Sequence, residues 1–469
     1  MSTRNSLWDA LNQEQDEQTI YRQALDQACD YLAGMRERPA FPASSAIAAL
    51  SQFDEALPAG PSRASDILAL LHALGSPATT APNGGRYFGF VNGGQLPAAL
   101  AARLLADAWD QNAGLQVMSP IAAKLEAVCE VWLVDLLDLP AGTAMGLVSG
   151  TSLATLCGLL AGRNALLQRQ GWDLRERGLF GAPPLRVVMS SAAHVTVRRA
   201  LSILGIGSAQ IELAAADEQG RFDVKALPQL DERTILILQA GNVNSGSFDR
   251  FEPLCAAARE AGAWVHIDGA FGLWARACEA TAHLTAGIEL ADSWAVDAHK
   301  TLNAPYDCGI VFCRARHELV TALAASESYL PVGGGRDGML YTPEMSRRAR
   351  SIELWAALKS LGQAGVDQLV AQLCQRARQF AQALDAAGFR ILNEVVFNQV
   401  LVACDTEDMT RRTLANIQAG EVCWCGGTDW RGENAIRISV CSWATTEADV
   451  ERSVAAFVVA REQARGARA

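Results

Sequence analysis

Two short stretches hold side chains whose types and order could do covalent chemistry. In one, Asp297-Ala298-His299-Lys300 places a lysine directly after a histidine; the other, His266-Ile267-Asp268-Gly269-Ala270, lies about thirty positions upstream. A lysine amine condenses with an aldehyde to a Schiff base, and a carboxylate beside a pyridine nitrogen keeps that ring protonated and able to accept electrons. Lys300 and Asp268 together therefore point to pyridoxal 5'-phosphate. Neither says this alone, since most lysines are solvated surface groups and an Asp at a strand end is often a helix cap.

Two further segments fit the same cofactor. Ser149-Gly150-Thr151-Ser152 is a small-residue turn between a strand and a helix that runs to Arg163. It offers free backbone N–H groups, hydroxyls and a helix N-terminus to a phosphate. It lacks the Gly-Lys-Ser/Thr ending of a nucleotide P-loop and the spaced glycines of a dinucleotide turn, and without Lys300 it would read as a generic N-cap. His194 follows a β-rich run in Ser190-Ser191-Ala192-Ala193-His194. Its flat imidazole can stack on a pyridine ring; the alternative is a buried histidine satisfied at a helix start.

The elements that must position these residues fall into three regions. Residues 1–96 read as a helical extension with an apolar stripe of Tyr21, Leu25, Ala28, Tyr31, Leu32 and Met35 on one helix from about Asp16 to Met35, and a second helix near Asp66 to Leu74. With little to pack on locally, these helices are expected to cover the main domain or a partner subunit. Residues 97–350 alternate strand runs with helices. The runs are Gly146–Val148, Leu185–Met189, Thr234–Gln239, Ala263–Ile267, Trp294–Asp297 and Gly309–Cys313, and the helices include Ser152–Leu167 and His194–Leu204. Runs apolar on both faces and joined by helices predict an α/β domain with a mostly parallel sheet, whose ligands gather at the carboxyl ends of the strands. His194, Asp268 and Lys300 each stand at such an end. Residues 351–469 read as a smaller α/β domain, with helices Ile352–Leu361 and Val366–Ala387, strands Phe397–Val402 and Ile436–Val440, and a terminal Ala-rich helix.

Composition narrows the classes. A chain of 469 residues, half of them hydrophobic, can bury a large core, and its net charge of -11 argues against nucleic acid or an anionic membrane as a main partner. The polar start and the lack of a spanning apolar run predict a cytoplasmic protein. Twelve scattered cysteines, with Cys423-Trp424-Cys425 the only close pair, do not have zinc spacing. They read as reduced, mostly buried thiols, and no metal site is expected.

Taken together with Arg86-Tyr87-Phe88-Gly89-Phe90, Ser119-Pro120 and Arg347-Arg348-Ala349-Arg350-Ser351, these motifs resemble the pyridoxal phosphate-dependent group II amino acid decarboxylases over nearly the whole chain. That family includes the aromatic amino acid, tyrosine, glutamate and cysteine sulfinate decarboxylases. The resemblance implies the aspartate aminotransferase fold (fold type I), a seven-stranded sheet, and a homodimer whose active sites lie at the subunit interface. It implies that Lys300 forms the Schiff base, Asp268 pairs with the pyridinium nitrogen, and Ala270 and His194 cover the two ring faces. Thr151, Ser152 and His299 would bind phosphate and Asn242 would approach the phenolic oxygen, where many relatives have threonines. Asp297 and Ser346 complete the implied cofactor set.

In the family a loop tyrosine is thought to return the proton to Cα after CO2 is lost. Here the loop is expected at Leu330 to Met345, with Gly333-Gly334-Gly335 suited to a lid. Counting back from Arg347-Arg348 puts Gly338 at the tyrosine position and Tyr341 three residues later. Tyr341 is the candidate donor if the loop is shifted. Otherwise an oxygen-dependent route to an aldehyde opens. For the substrate side chain the resemblance points to Phe88, Phe90, Asn92 and Asn112. The two segments, Phe88 to Asn92 and Asp110 to Gly114, carry Gln and Asn donors that would suit a polar side chain, while Phe88 and Phe90 and the lack of an added Arg or Lys in either segment favour an aromatic, tyrosine-like substrate. The primary expectation is thus an L-amino acid decarboxylase acting on a small-molecule substrate. An aldehyde-forming enzyme or an aminotransferase of the same fold is the alternative, and a non-catalytic scaffold or a nucleotide-binding protein using the Ser149 turn is the remote one.

Overall fold

The computed structural model of the chain describes residues 7–323 and 335–466. Its centre is a seven-stranded sheet of β1 (Ala144–Val148), β2 (Arg186–Ser190), β3 (Ile211–Ala214), β4 (Thr234–Gln239), β5 (Trp264–Asp268), β6 (Ser293–Asp297) and β7 (Gly309–Cys313), in the order β1-β7-β6-β5-β4-β2-β3. Only β7 runs against its neighbours β1 and β6; the other pairs are parallel. The central strands are buried at every position, which is why their sequences run apolar without alternation.

Helices α1 (Leu7–Glu17), α2 (Thr19–Ala33), α3 (Ser44–Ala49) and α4 (Ala64–Leu70) form the N-terminal extension, and α5 (Pro97–Trp109) and α6 (Pro120–Leu136) lead into the sheet. Within the sheet region come α7 (Thr151–Arg169), α8 (Leu174–Arg177), α9 (Val195–Ile203), α10 (Phe251–Glu260) and α11 (Arg316–Leu323). Helix α7 lies across β5, β6 and β7 and packs on α9 and α11, so the sheet is covered on this face by one apolar cluster and on the other by a second that includes Leu133, Leu254 and Leu354. Helix α12 (Ser351–Ala386) crosses to the small domain and is broken at Gly362, whose φ of 59° no L side chain adopts readily. The two expected helices are thus two helices that meet at this kink.

The small domain is an antiparallel sheet of β8 (Arg390–Ile391), β9 (Gln399–Ala403), β10 (Gly426–Trp430) and β11 (Glu433–Ser439), ordered β10-β11-β9-β8 and covered by α12 and α13 (Glu407–Ala419), with α14 (Glu447–Gly466) packed on both helices. The sequence reading missed β3, a sheet edge with Glu212 and Leu213 facing solvent, and β10, whose Gly426-Gly427-Thr428-Asp429 carries no apolar pattern. The helix expected from Asp16 to Met35 is divided, because Gln18 is left-handed (φ 54°) between α1 and α2. Its apolar stripe is only partly covered among the described residues: α2 touches α4 and Tyr31 is half-buried beside Thr79, while Tyr21, Leu25 and Leu32 stay exposed and Met35 is buried. No helix among the described residues is long and apolar enough to cross a membrane. Eleven of the twelve cysteines are buried and all are free thiols.

Candidate active site

Register brings the chemistry-bearing strand ends together. Asp268, the last residue of β5, pairs with Gln239, the last of β4, and Asp297, the last of β6, faces Gly309 at the start of β7. Gly309 also faces Val148 of β1, which delivers the Gly150 turn beside the Lys300 loop. A Cβ on Gly309 would collide with the Gly150 backbone, so this close approach requires glycine.

A cavity of about 500 Å³ opens at this edge, lined by Phe90, Thr151, Ser152, His194, Asp268, Ala270, Asp297, His299 and Lys300 among the expected residues. The Lys300 amine lies 3.0 Å from Asp297 Oδ2. Asp297 Oδ1 accepts a 2.6 Å hydrogen bond from the Thr151 backbone N–H, so this carboxylate caps α7 from across the sheet and ties the phosphate turn to the lysine. His299 Nδ1 accepts from the Cys308 N–H at 3.0 Å, which leaves Nε2 facing Asp297 and the cavity. Burial pulls the His299 pKa down, Asp297 opposing. Tyr306 stacks on the ring at 4.2 Å.

Asp268 is buried on the cavity wall and, among the described residues, accepts only the Ala270 N–H, at 3.3 Å. Burial raises its carboxyl above the usual range, against the pull of His194 and Lys300. His194 caps α9, and its Nδ1 is held 2.7 Å from Thr196 Oγ1, which leaves Nε2 for the cavity. Burial lowers its pKa too, and the nearby Asp268 carboxylate works the other way. Desolvation thus favours the neutral form of both partners until something charged enters.

Six expected residues do not join this cavity. Asn242 closes its own turn instead: Oδ1 accepts from the N–H groups of Asn244 (2.9 Å) and Ser245 (3.2 Å), and Nδ2 turns toward Ala192 O and Gln239 Oε1. Asn244 takes its place on the wall. Phe88 packs edge-on against Phe380, 4.9 Å away, in the small-domain core, and the left-handed backbone at Phe90 and Val91 sends Phe90 elsewhere. Asn92 accepts from the Tyr306 hydroxyl at 3.1 Å, outside the lining. Asn112 and Ser346 meet at 3.5 Å in a separate hollow of about 450 Å³. Tyr341 packs beside Gly146 of β1, outside the cavity lining: its hydroxyl accepts from Arg316 at 2.9 Å and Arg336 stacks on its ring. At Gly338 a side chain would run into the Arg347 guanidinium, so no tyrosine fits that position in this conformation. The part of the expected lid from 330 to 334 lies outside the described residues.

The sequence reading also missed residues that do line the cavity. Arg437 on β11 donates to Val243 O at 3.2 Å, yet its buried Nε has no hydrogen-bond partner, and burial lowers its pKa. A lone arginine between buried Ile436 and Ile438 in a strand run is the signal that could have found it. Thr428, which donates to Asn244 Oδ1 at 3.0 Å, carried no such signal.

These features define a lysine-centred α/β site of the fold type I class. The chain matches the pyridoxal-dependent decarboxylase conserved domain over residues 48–403 and belongs to that family. It is a pyridoxal phosphate-dependent amino acid decarboxylase. It is 24% identical over 458 residues to the aromatic-L-amino-acid decarboxylase of Rattus norvegicus, covering 92% of this chain and 94% of that enzyme. Among solved structures, it is similar to the Catharanthus roseus tryptophan decarboxylase in complex with L-tryptophan (TM-score 0.85, 21% identity, 96% and 98% of the two chains). It is similar also to the Rhodiola rosea 4-hydroxyphenylacetaldehyde synthase (TM-score 0.81, 22% identity, 97% and 98%). Both share its fold.

The donor set fits the cofactor. Thr151 Oγ1 is buried on the cavity wall without a hydrogen-bond partner among the described residues, which suits it to a phosphate oxygen. Asp268, with one weak backbone donor, has an acceptor oxygen left for a ring N–H.

Proposed function

We infer that this decarboxylase acts on an aromatic L-amino acid and releases the amine and CO2, working as a homodimer with its active sites at the subunit interface. The observation that carries the reading is one cavity with an amine (Lys300), a cation whose buried Nε has no hydrogen-bond partner among the described residues (Arg437) and an aromatic ring (Phe90) on its walls. Bound pyridoxal phosphate supplies the electron sink that accepts the charge left at Cα.

The chain's residues then have distinct tasks. Thr151, Ser152 and His299 would hold the phosphate, Asp268 the ring nitrogen, Ala270 and His194 the ring faces, and Lys300 the aldehyde carbon. Arg437 would bind the substrate carboxylate and fix its angle to the ring plane, an orientation effect rather than a chemical one. Phe90 would take the aromatic side chain. The exposed Tyr21, Leu25, Trp109 and Val131, and the outlying Asn112–Ser346 hollow, are what a partner subunit would cover and use.

A specific observation supports a second outcome, oxidation to an aldehyde. Gly338 has no room for a side chain and Tyr341 points to Arg316, so the expected proton donor is absent from both positions. An assay of CO2, amine, aldehyde and peroxide over a panel of amino acids separates the readings. CO2 and amine in equal amounts from L-tyrosine, L-phenylalanine or L-tryptophan is the expected result. Aldehyde with peroxide favours the second outcome, and turnover confined to acidic amino acids overturns the aromatic assignment.

A further inference from the structure

Phe90 holds its place on the cavity wall in an unusual way. It and Val91 are consecutive non-glycine residues in the left-handed region, with φ of 55° and 62°. Side chains rarely adopt that backbone, least of all β-branched valine, and it persists only where the surroundings impose it. Val91 is anchored by burial in the main core. Phe90 is 61% exposed and has no such anchor. Its ring rests on Trp424, centroid to centroid 5.6 Å and 28° between planes.

Trp424 comes from the small domain and is itself tightly specified. Cys423 and Cys425 on either side are buried in the small-domain core. Its backbone pairs with the Phe90 segment: Phe88 N–H donates to Trp424 O at 2.7 Å and Trp424 N–H to Arg86 O at 3.1 Å. Tyr87 stacks on it at 5.2 Å, and Phe41 of the N-terminal extension at 5.9 Å. Gly89 completes the fit, because a Cβ there would collide with the Trp424 ring.

We propose that Trp424 is the positioning residue for substrate selection: it sets the angle at which Phe90 meets an aromatic side chain, and Gly89 is the space that lets it do so. This rests on the aromatic reading above. Trp424 does not line the cavity, so it acts only through Phe90, and removing it should weaken recognition of the ring without touching recognition of the carboxylate.

The test uses the pyridoxal phosphate-loaded enzyme and two probes, 3-phenylpropanoate and butanoate, whose binding is read from the change in cofactor absorbance. Trp424→Ala and Gly89→Ala, which reach the same contact from opposite sides, should each weaken 3-phenylpropanoate by about tenfold and leave butanoate within about twofold, and Trp424→Phe should recover most of the loss. In the amino acid assay the change should fall on KM for the aromatic substrate. Equal weakening of both probes, or of neither, overturns the role of Trp424. A wild-type enzyme that turns over no aromatic amino acid overturns the aromatic reading instead, and the two failures are read from different measurements.

Discussion

At the cofactor end of the cavity, Asp268, Asp297 and Thr151 stand on strand ends and a helix start, buried and fixed by register. At the end proposed to take the substrate, Phe90, Asn244, Thr428 and Arg437 come from a strained loop, a turn and the small domain. The Lys300 loop is held further by Asn303, buried and left-handed at φ 58°. Its Nδ2 donates to the carbonyls of Lys300, Thr301 and Cys441, and its Oδ1 accepts from the N–H groups of Gly94 and Trp443. No comparable hub fixes Phe90. One end of the site is thus set by the main sheet, and the other depends on how three separate parts of the chain meet. Chemistry is committed on the rigid side, and selection is left to the side that other segments can adjust.

The largest effect should come from the rigid end. Lys300→Ala removes the amine that would hold the cofactor aldehyde, and CO2 release should fall by about a thousandfold or more, with loss of the visible absorbance expected of a lysine-bound cofactor. Radiolabelled CO2 capture and an absorbance scan check both. Retention of either would break the assignment of this lysine. At the adjustable end the effect should be smaller and of a different kind. Arg437→Gln keeps a donor but deletes the charge, so KM should rise about thirtyfold, roughly 2 kcal/mol, with kcat reduced less. A fall in kcat at unchanged KM would move Arg437 from binding to the chemical step and blur the distinction between the two ends.

The same contrast explains what could be read from the sequence. Lys300, Asp268, Thr151 and His299 were legible because local rules place them: apolar strand runs end where ligands bind, and a small-residue turn opens a helix. Asn242 misled because the family's threonine position is filled here by a residue that prefers to satisfy its own turn. Phe88 misled because strand alternation would put it on the same face as Phe90, and the left-handed backbone at Phe90 and Val91 breaks that alternation. Arg437 and Thr428 arrive from about 130 residues beyond Lys300 through the small-domain sheet, and no local pattern reports such a meeting. Asn112 and Ser346 were placed in the site by resemblance, yet within one chain they share a hollow with Arg348 and not with Lys300.

The smallest expected effect concerns the proton. Tyr341 was a candidate donor because it is close in sequence to the counted position, but its hydroxyl is engaged by Arg316, which also binds Glu130, and its ring is covered by Arg336. A hydroxyl in that network contributes to stability. Tyr341→Phe deletes one hydrogen bond to a charged group, a loss of about 1.5–3 kcal/mol by the usual magnitude, while kcat and the amine-to-aldehyde ratio should stay within about twofold. The sequence has one other tyrosine between β7 and α12, Tyr329, which lies outside the described residues. Comparing Tyr329→Phe with Tyr341→Phe in the product assay therefore assigns the donor by function. A shift from amine to aldehyde in the Tyr341 variant alone would return Tyr341 to the chemistry. A shift in the Tyr329 variant alone would show that counting back from Arg347 chose the wrong position, and that the sequence held a donor all along.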